Sequence, residues 1–147
     1  MISRTRMAND AWEALFRAQA TVHRELLAAD VWDSCSPNEY GVLYALSKAP
    51  EGLRITELAG DALLTQAGLS RLVARLEANG LVERVADPDD GRASRIRLTA
   101  AGASAQRRVG LRHGHHVAQI MTRTFSVEQL EQLRALCDTL TTESART

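Results

Sequence analysis

Thr65-Gln66-Ala67-Gly68-Leu69-Ser70-Arg71-Leu72-Val73-Ala74-Arg75-Leu76-Glu77-Ala78-Asn79-Gly80 is the stretch on which the reading of the chain turns. Leu69, Leu72, Val73 and Leu76 fall at i, i+3, i+4 and i+7, which predicts a helix with one buried stripe. Thr65 can cap its first turn through a side-chain oxygen, and Gly80 suits the position that closes it, so the helix is expected from Gln66 to Asn79. Its other face carries Ala67, Ser70, Arg71, Ala74 and Arg75. Small residues alternating with arginines suit a helix entering a major groove about 12 Å wide, where bulky neighbours would hold guanidinium groups away from base edges. The same residues also fit an ordinary solvated face, because arginine is common on surfaces.

Beyond Gly80 the period of apolar residues shortens. Leu81 to Ala86 and Ala93 to Leu98 read as two strands flanking Asp87-Pro88-Asp89-Asp90-Gly91, a loop of turn formers, which together predict a β-hairpin. Arg92 sits beside the turn, and Arg95 and Arg97 alternate with Ile96 and Leu98, placing guanidinium groups on one side of the strand, where Arg84 of the partner strand can join them. An arginine beside a tight turn has the reach to enter a minor groove, and strand arginines can contact phosphates. The alternative is an exposed hairpin bearing solubilising charge.

Upstream, a short helix is expected from Thr56 to about Leu63, which makes helix, tight turn and helix. Ser36-Pro37-Asn38-Glu39 supplies a capping Ser, a Pro at the first helical position and a Glu able to reach back, so a further helix runs to about Lys48, ended by Pro50 and Gly52. From Asp10 to Ala29, Trp12, Leu15, Phe16, His23, Leu26 and Leu27 recur at helical spacing, with Asp30 to Ser34 as the exit loop. Downstream, Thr99 can cap a long helix to about Thr124, and Ser126 with Gln129 makes a capping box for a last helix to about Glu143. Val127, Leu130, Leu133, Leu136, Cys137 and Leu140 form a near-heptad seam there, fit to pack within one chain or across two.

The chain has 147 residues, 45% of them hydrophobic, enough for one domain plus an accessory element. Its 18 basic and 18 acidic side chains cancel, so any affinity for nucleic acid must come from local charge placement. Apolar stretches are broken every few residues by charge, and Met1 to Asp10 lack an apolar signal core. Neither a membrane span nor an export signal is expected, which points to the cytoplasm. Cys35 and Cys137 are far apart without metal-ligand spacing, so free thiols are expected and a structural zinc is not. A Gly-rich phosphate loop, a nucleophile elbow, an HExxH and a useful carboxylate cluster are all missing, which argues against an enzyme.

Taken in order, Leu69-Ser70-Arg71-Leu72-Val73-Ala74-Arg75-Leu76-Glu77-Ala78-Asn79-Gly80-Leu81-Val82-Glu83-Arg84, then Asp90-Gly91-Arg92, then Leu98-Thr99-Ala100-Ala101-Gly102 resembles the MarR family, over roughly Ile55 to Gly102. The resemblance implies a mainly α fold with a small β-hairpin wing: a winged helix-turn-helix domain over 35–102, with 1–34 and 103–147 as a helical dimerisation region. It further implies a homodimer on double-stranded, pseudo-palindromic operator DNA, acting by default as a repressor. Thr65, Gln66, Ala67, Ser70, Arg71 and Arg75 on the recognition helix and Arg92, Arg95 and Arg97 on the wing are the expected DNA contacts. Asp90 matches the family's Asp that orients wing arginines, and Asp87 and Asp89 are expected to face solvent. Gly68 departs from the family pattern, where a Thr often contributes a contact; it either permits closer backbone approach or loses that contact.

Family resemblance also implies release by a small molecule, often an aromatic acid or phenol, with no cofactor. Candidate lining residues are Trp12, Phe16, His23, Trp32, Tyr40, Tyr44, His113 and His116, most of which also suit core or interface positions. Cys35 precedes a helix N-terminus, whose partial positive charge can lower a thiol pKa, so an oxidant sensor is an alternative; the family's peroxide sensors carry their cysteine in the first helix, a position without one here. His113, His115 and His116 lack an acidic or thiol partner nearby and fit a polar helix surface better than a metal site. A second alternative keeps the fold as a protein-interaction module.

Overall fold

The computed structural model describes residues 1–61 and 65–146. Its elements are α1 (Arg4–Leu27), α2 (Pro37–Ser47), α3 (Ile55–Asp61), α4 (Gln66–Ala78), β1 (Val82–Ala86), β2 (Ser94–Leu98), α5 (Ala100–Thr124) and α6 (Val127–Ser144). The expected end of the third helix at Leu63 lies outside the described residues. Two compact units emerge: Ala29–His113, and Met1–Ala28 with Gly114–Thr147. In the Ala29–His113 unit, Ala105 and Val109 of α5 are buried in the core and Trp32 packs against it.

Within Ala29–His113 the helix ends follow from side-chain caps. Ser36 Oγ accepts from the Glu39 N–H at 3.1 Å, with Pro37 opening α2. Thr65 Oγ1 accepts from the Gly68 N–H at 3.1 Å and opens α4. Each such cap satisfies an otherwise orphaned amide and stabilises its helix by about 1 kcal/mol. At the far end of α4, Gly80 has φ +73°. Its N–H donates to Glu77 O at 3.0 Å and the Leu81 N–H to Leu76 O at 2.9 Å, the paired bonds of a left-handed helix stop. The chain leaves that stop directly into β1.

The hairpin pairs Val82 with Leu98, Glu83 with Arg97, Arg84 with Ile96, Val85 with Arg95 and Ala86 with Ser94. Leu53, ahead of α3, exchanges backbone bonds of 2.9 and 2.8 Å with Ile96 and so ties β2 to the helix-turn-helix. Leu43, Leu46, Leu58, Leu69, Val73, Leu76, Val82, Ile96 and Val109 are essentially solvent-free and form the centre of the core. Burial of side chains of this size stabilises the fold by about 1.5–3 kcal/mol each.

The start of α5 is keyed to the end of α4. Thr99 Oγ1 accepts from the Gly102 N–H at 3.1 Å and donates to Gly80 O at 2.6 Å, while the Thr99 N–H reaches Leu81 O at 3.1 Å. One Thr thus caps one helix and fastens the carboxyl end of another.

The other unit contains α1, the later part of α5 and α6. The first helix starts at Arg4 rather than Asp10, because Ser3 Oγ accepts from the Arg6 N–H at 3.1 Å. Apolar spacing could not mark that start, since the added residues Arg4 to Asn9 carry Met7 as their one large apolar side chain. Arg123 Nη2 reaches both carboxylate oxygens of Glu25 at 2.8 and 2.9 Å, joining α5 to α1. The α6 capping box is formed in both directions by Ser126 and Gln129. Ile120 is buried, whereas neither α1 nor α6 has a buried residue among those described. No helix among the described residues is long and apolar enough to cross a membrane.

A Cβ at Gly102 would stand 1.8 Å from the carbonyl oxygen of Leu81, a contact that backbone must move to relieve. Gly102→Ala is therefore expected to lower unfolding free energy by about 1–3 kcal/mol in a urea melt. An unchanged midpoint contradicts this packing.

Candidate functional site

Along α4, Leu69, Leu72, Val73 and Leu76 are buried as their spacing requires. Gln66, Ala67, Arg71, Ala74 and Arg75 are exposed, and Ser70 is half-buried. Thr65 is exposed too, but its hydroxyl oxygen is engaged by the Gly68 N–H. Arg71, Arg75 and the Arg92 side chain make no ion pair with any described residue, which leaves three guanidinium groups available on the surface. Ordinary helix periodicity thus separates a packing stripe from a cationic one.

The wing is organised by a carboxylate other than the expected one. Asp87 is buried, and its Oδ2 accepts from Arg54 Nε at 2.6 Å and from Arg95 Nε at 3.1 Å, while Oδ1 accepts from the Asp89 N–H at 2.8 Å. Asp90 instead accepts the backbone N–H of Arg92 at 3.0 Å and holds the turn, not an arginine side chain. The expectation that Asp90 orients wing arginines and Asp87 faces solvent is therefore corrected. The physical reason is Arg54, 33 residues earlier in the chain, which supplies the charge that makes burial of Asp87 tolerable. The Arg54 guanidinium, then the Asp89 amide and Arg95, hold the Asp87 carboxyl well below the usual range against the opposing effect of desolvation.

Arg95 shares that carboxylate. Its side chain is 19% exposed, with Nε on Asp87 and Nη2 3.5 Å from Asp89, so it is engaged inside the wing. Arg97 pairs with Glu83 directly across the hairpin at 2.7 Å and stays half-exposed. Arg84 lies 3.5 Å from Glu77. The hairpin's uncommitted arginine is Arg92.

Between α3, α4 and the hairpin lies a cleft of about 340 Å³ lined by Arg54, Thr56, Ser70, Arg84 and Ser94, with Ile55, Ala93 and Ile96 as apolar wall. Arg54 was not singled out from sequence because it precedes a helix with no motif around it.

Four of the aromatic candidates do meet. Trp32 and His113 rings are 4.7 Å apart, Tyr40 and His113 5.3 Å, Trp32 and Tyr40 5.8 Å, and Tyr40 and Tyr44 6.1 Å. Burial pushes the Tyr40 phenol above its ordinary pKa. Trp12 and Phe16 stand exposed on α1, as does His23, and His116 is half-buried in the same unit.

Cys35 is buried, and its thiol is pushed up to about 11 by desolvation, with the nearby charges of Glu39 and Asp33 acting the same way. Burial and the two carboxylates outweigh the lowering that the partial charge of a helix N-terminus would cause, which favours packing over the oxidant-sensor alternative. Cys35 is a packing residue. Groups of His, Cys, Asp and Glu able to hold a metal are absent among the described residues.

Residues 35–93 match the family model described as MarR family. Over 64 residues the chain is 39% identical to the transcriptional regulator HosA of Escherichia coli O111:H-, a stretch making up 44% of this chain and 47% of that protein. The chain thus matches about half the length of this curated relative. Sco3205, a MarR family transcriptional regulator from Streptomyces coelicolor solved in complex with DNA, is similar with TM-score 0.76 and 28% identity over 96% of this chain and 88% of its own. The PcaV transcriptional regulator of the same organism, solved with its natural ligand, is similar with TM-score 0.71 and 28% identity over 88% and 91%. The helix-turn-helix and hairpin described above are thus a winged helix, and its relatives are transcriptional regulators rather than enzymes.

The stabilisation from Asp87 has a definite pH sign. A carboxyl whose folded pKa is depressed stabilises fully above its ordinary value near 4 and loses that contribution as pH falls towards the folded value. The difference in Tm between the protein and Asp87→Asn is expected to be constant at neutral pH and to narrow below about pH 4. A difference that persists undiminished at about pH 3 contradicts the ion-pair account.

Proposed function

We infer that this chain is a MarR family regulator, a homodimeric DNA-binding protein that represses by occupying pseudo-palindromic promoter sites. The observation that carries this reading is the exposed set Arg71 and Arg75 on α4, beside a hairpin whose Arg92 is uncommitted. In the proposed complex α4 lies in a major groove, with Gln66, Ala67 and Ser70 beside the arginines, and Arg92 reaches the neighbouring minor groove. The relative solved on DNA, Sco3205, has the same fold at 28% identity, which supports this use of the surface.

Dimerisation is assigned to α1, α6 and the later part of α5. Trp12, Phe16, Val127, Leu136 and Leu140 are exposed apolar residues on these helices, which a second copy would cover. Two copies convert modest half-site affinity into specific operator binding, with recognition helices about one DNA turn apart.

A small aromatic effector is part of the reading. The Trp32, Tyr40, Tyr44 and His113 cluster is the group of aromatic candidates that packs together, and the ligand-bound PcaV supports a ligand-responsive mode. Such a ligand releases DNA only by binding the DNA-free state more tightly.

Electrophoretic shift with DNA upstream of the chain's own gene tests the reading. A specific shift is expected, weakened in Arg71→Ala by about 1–3 kcal/mol if it reads a base, and weakened in Arg92→Ala. A folded protein that shifts none of its promoter fragments contradicts it.

A further inference from the structure

A recognition helix in a major groove and a hairpin in the adjacent minor groove flank one sugar-phosphate backbone, which must pass between them. The cleft between α4 and the hairpin occupies that place. Its polar wall is made of Arg54, Thr56, Ser70, Arg84 and Ser94, and no carboxylate lines it among the described residues. Three hydroxyls and two guanidinium groups are all donors to a phosphate oxygen.

The charges in and under this cleft are paired but unevenly exposed. Arg84 has Glu77 at 3.5 Å as its counter-ion, which neutralises that pair. Arg54 and Arg95 share the buried carboxylate of Asp87, Arg95 also lies 3.5 Å from Asp89, and Arg54 uses Nε for its bond while its side chain stays partly exposed. Asp87 is sealed from solvent, so a ligand in the cleft meets the guanidinium of Arg54 and not the carboxylate beneath it. The bond that Arg54 Nε donates to Asp87 also fixes the direction of Arg54, so the cation is ordered before any ligand arrives.

The geometry points to this cleft as the seat of one backbone phosphate of bound DNA, with Arg54 as its cationic partner and the hydroxyls of Ser70 and Ser94 as further donors. The assignment rests on the DNA-binding reading above and adds to it a contact that carries no sequence information. It makes Arg54 a contact residue outside both the recognition helix and the wing.

Salt titration of DNA binding isolates the contact, because each neutralised phosphate adds about 0.9 to the slope of log K against log salt. The informative pair is Asp87→Asn against the double variant Arg54→Gln/Asp87→Asn, in which the buried carboxylate is absent from both and only the guanidinium differs. Both are first checked for a cooperative thermal melt. The double variant is expected to lose about 0.9 in slope per protomer, about 1.8 for a bound dimer, relative to Asp87→Asn, equally on upstream DNA and on a random duplex of the same length, with the ratio of specific to random affinity unchanged. An equal slope in the two variants overturns the assignment and leaves Arg54 a structural partner of Asp87, while wild-type binding persists. If wild-type protein binds neither duplex, the regulator reading fails and this assignment falls with it.

Discussion

The buried carboxylate of Asp87 is the constraint on which the cationic surface depends. It lies at the start of the hairpin turn and is shared by Arg54 ahead of α3 and Arg95 on β2. A charge removed from water is tolerable only when paired and hydrogen-bonded, and here two guanidinium groups and a backbone N–H meet that demand. Because the partners sit on different elements, the ion cluster fixes the hairpin against the helix-turn-helix. The backbone bonds between Leu53 and Ile96 reinforce the same junction. A hairpin of two strands alone is marginal in water, so its direction relative to α4 needs such ties.

A second joint sets the opposite side of the hairpin. The left-handed stop at Gly80, the hydroxyl of Thr99 and the bare Cα of Gly102 meet where α4 ends, β1 begins and α5 starts. The Leu98-Thr99-Ala100-Ala101-Gly102 run that carried the family resemblance therefore has a packing reason. Thr must both donate and accept, and Gly must let a helix pass against the Leu81 carbonyl. Helix α4 is thus anchored at its two ends by different means, a threonine cap at Thr65 and this joint at Gly80.

Local chemistry was legible in the sequence, and distant pairing was not. The caps at Ser36, Thr65, Thr99 and Ser126, the hairpin strands and the buried stripe of α4 all depend on residues within a turn of one another. Asp87 was misjudged because its decisive partner is Arg54, and no spacing rule links two residues so far apart. Arg95 was taken as a surface cation for the same reason. For Cys35 the helix N-terminus suggested an alternative as an oxidant sensor, and burial with the charges of Glu39 and Asp33 acts against it. The early turns of α1 escaped because helix formation there needs a serine cap, not an apolar stripe.

A chain without net charge binds a polyanion only if its cations are placed where the anion runs. Here the proposed interface gathers Arg54, Arg71, Arg75 and Arg92 while Asp87 is withdrawn beneath it. Hydroxyl-radical footprinting of the DNA upstream of the chain's own gene tests the proposed function most directly. The account predicts protected patches related by two-fold symmetry and separated by about one helical turn, roughly 10 base pairs, or a multiple of it. Protection at a single unpaired patch under saturating protein, or none at all, would contradict it.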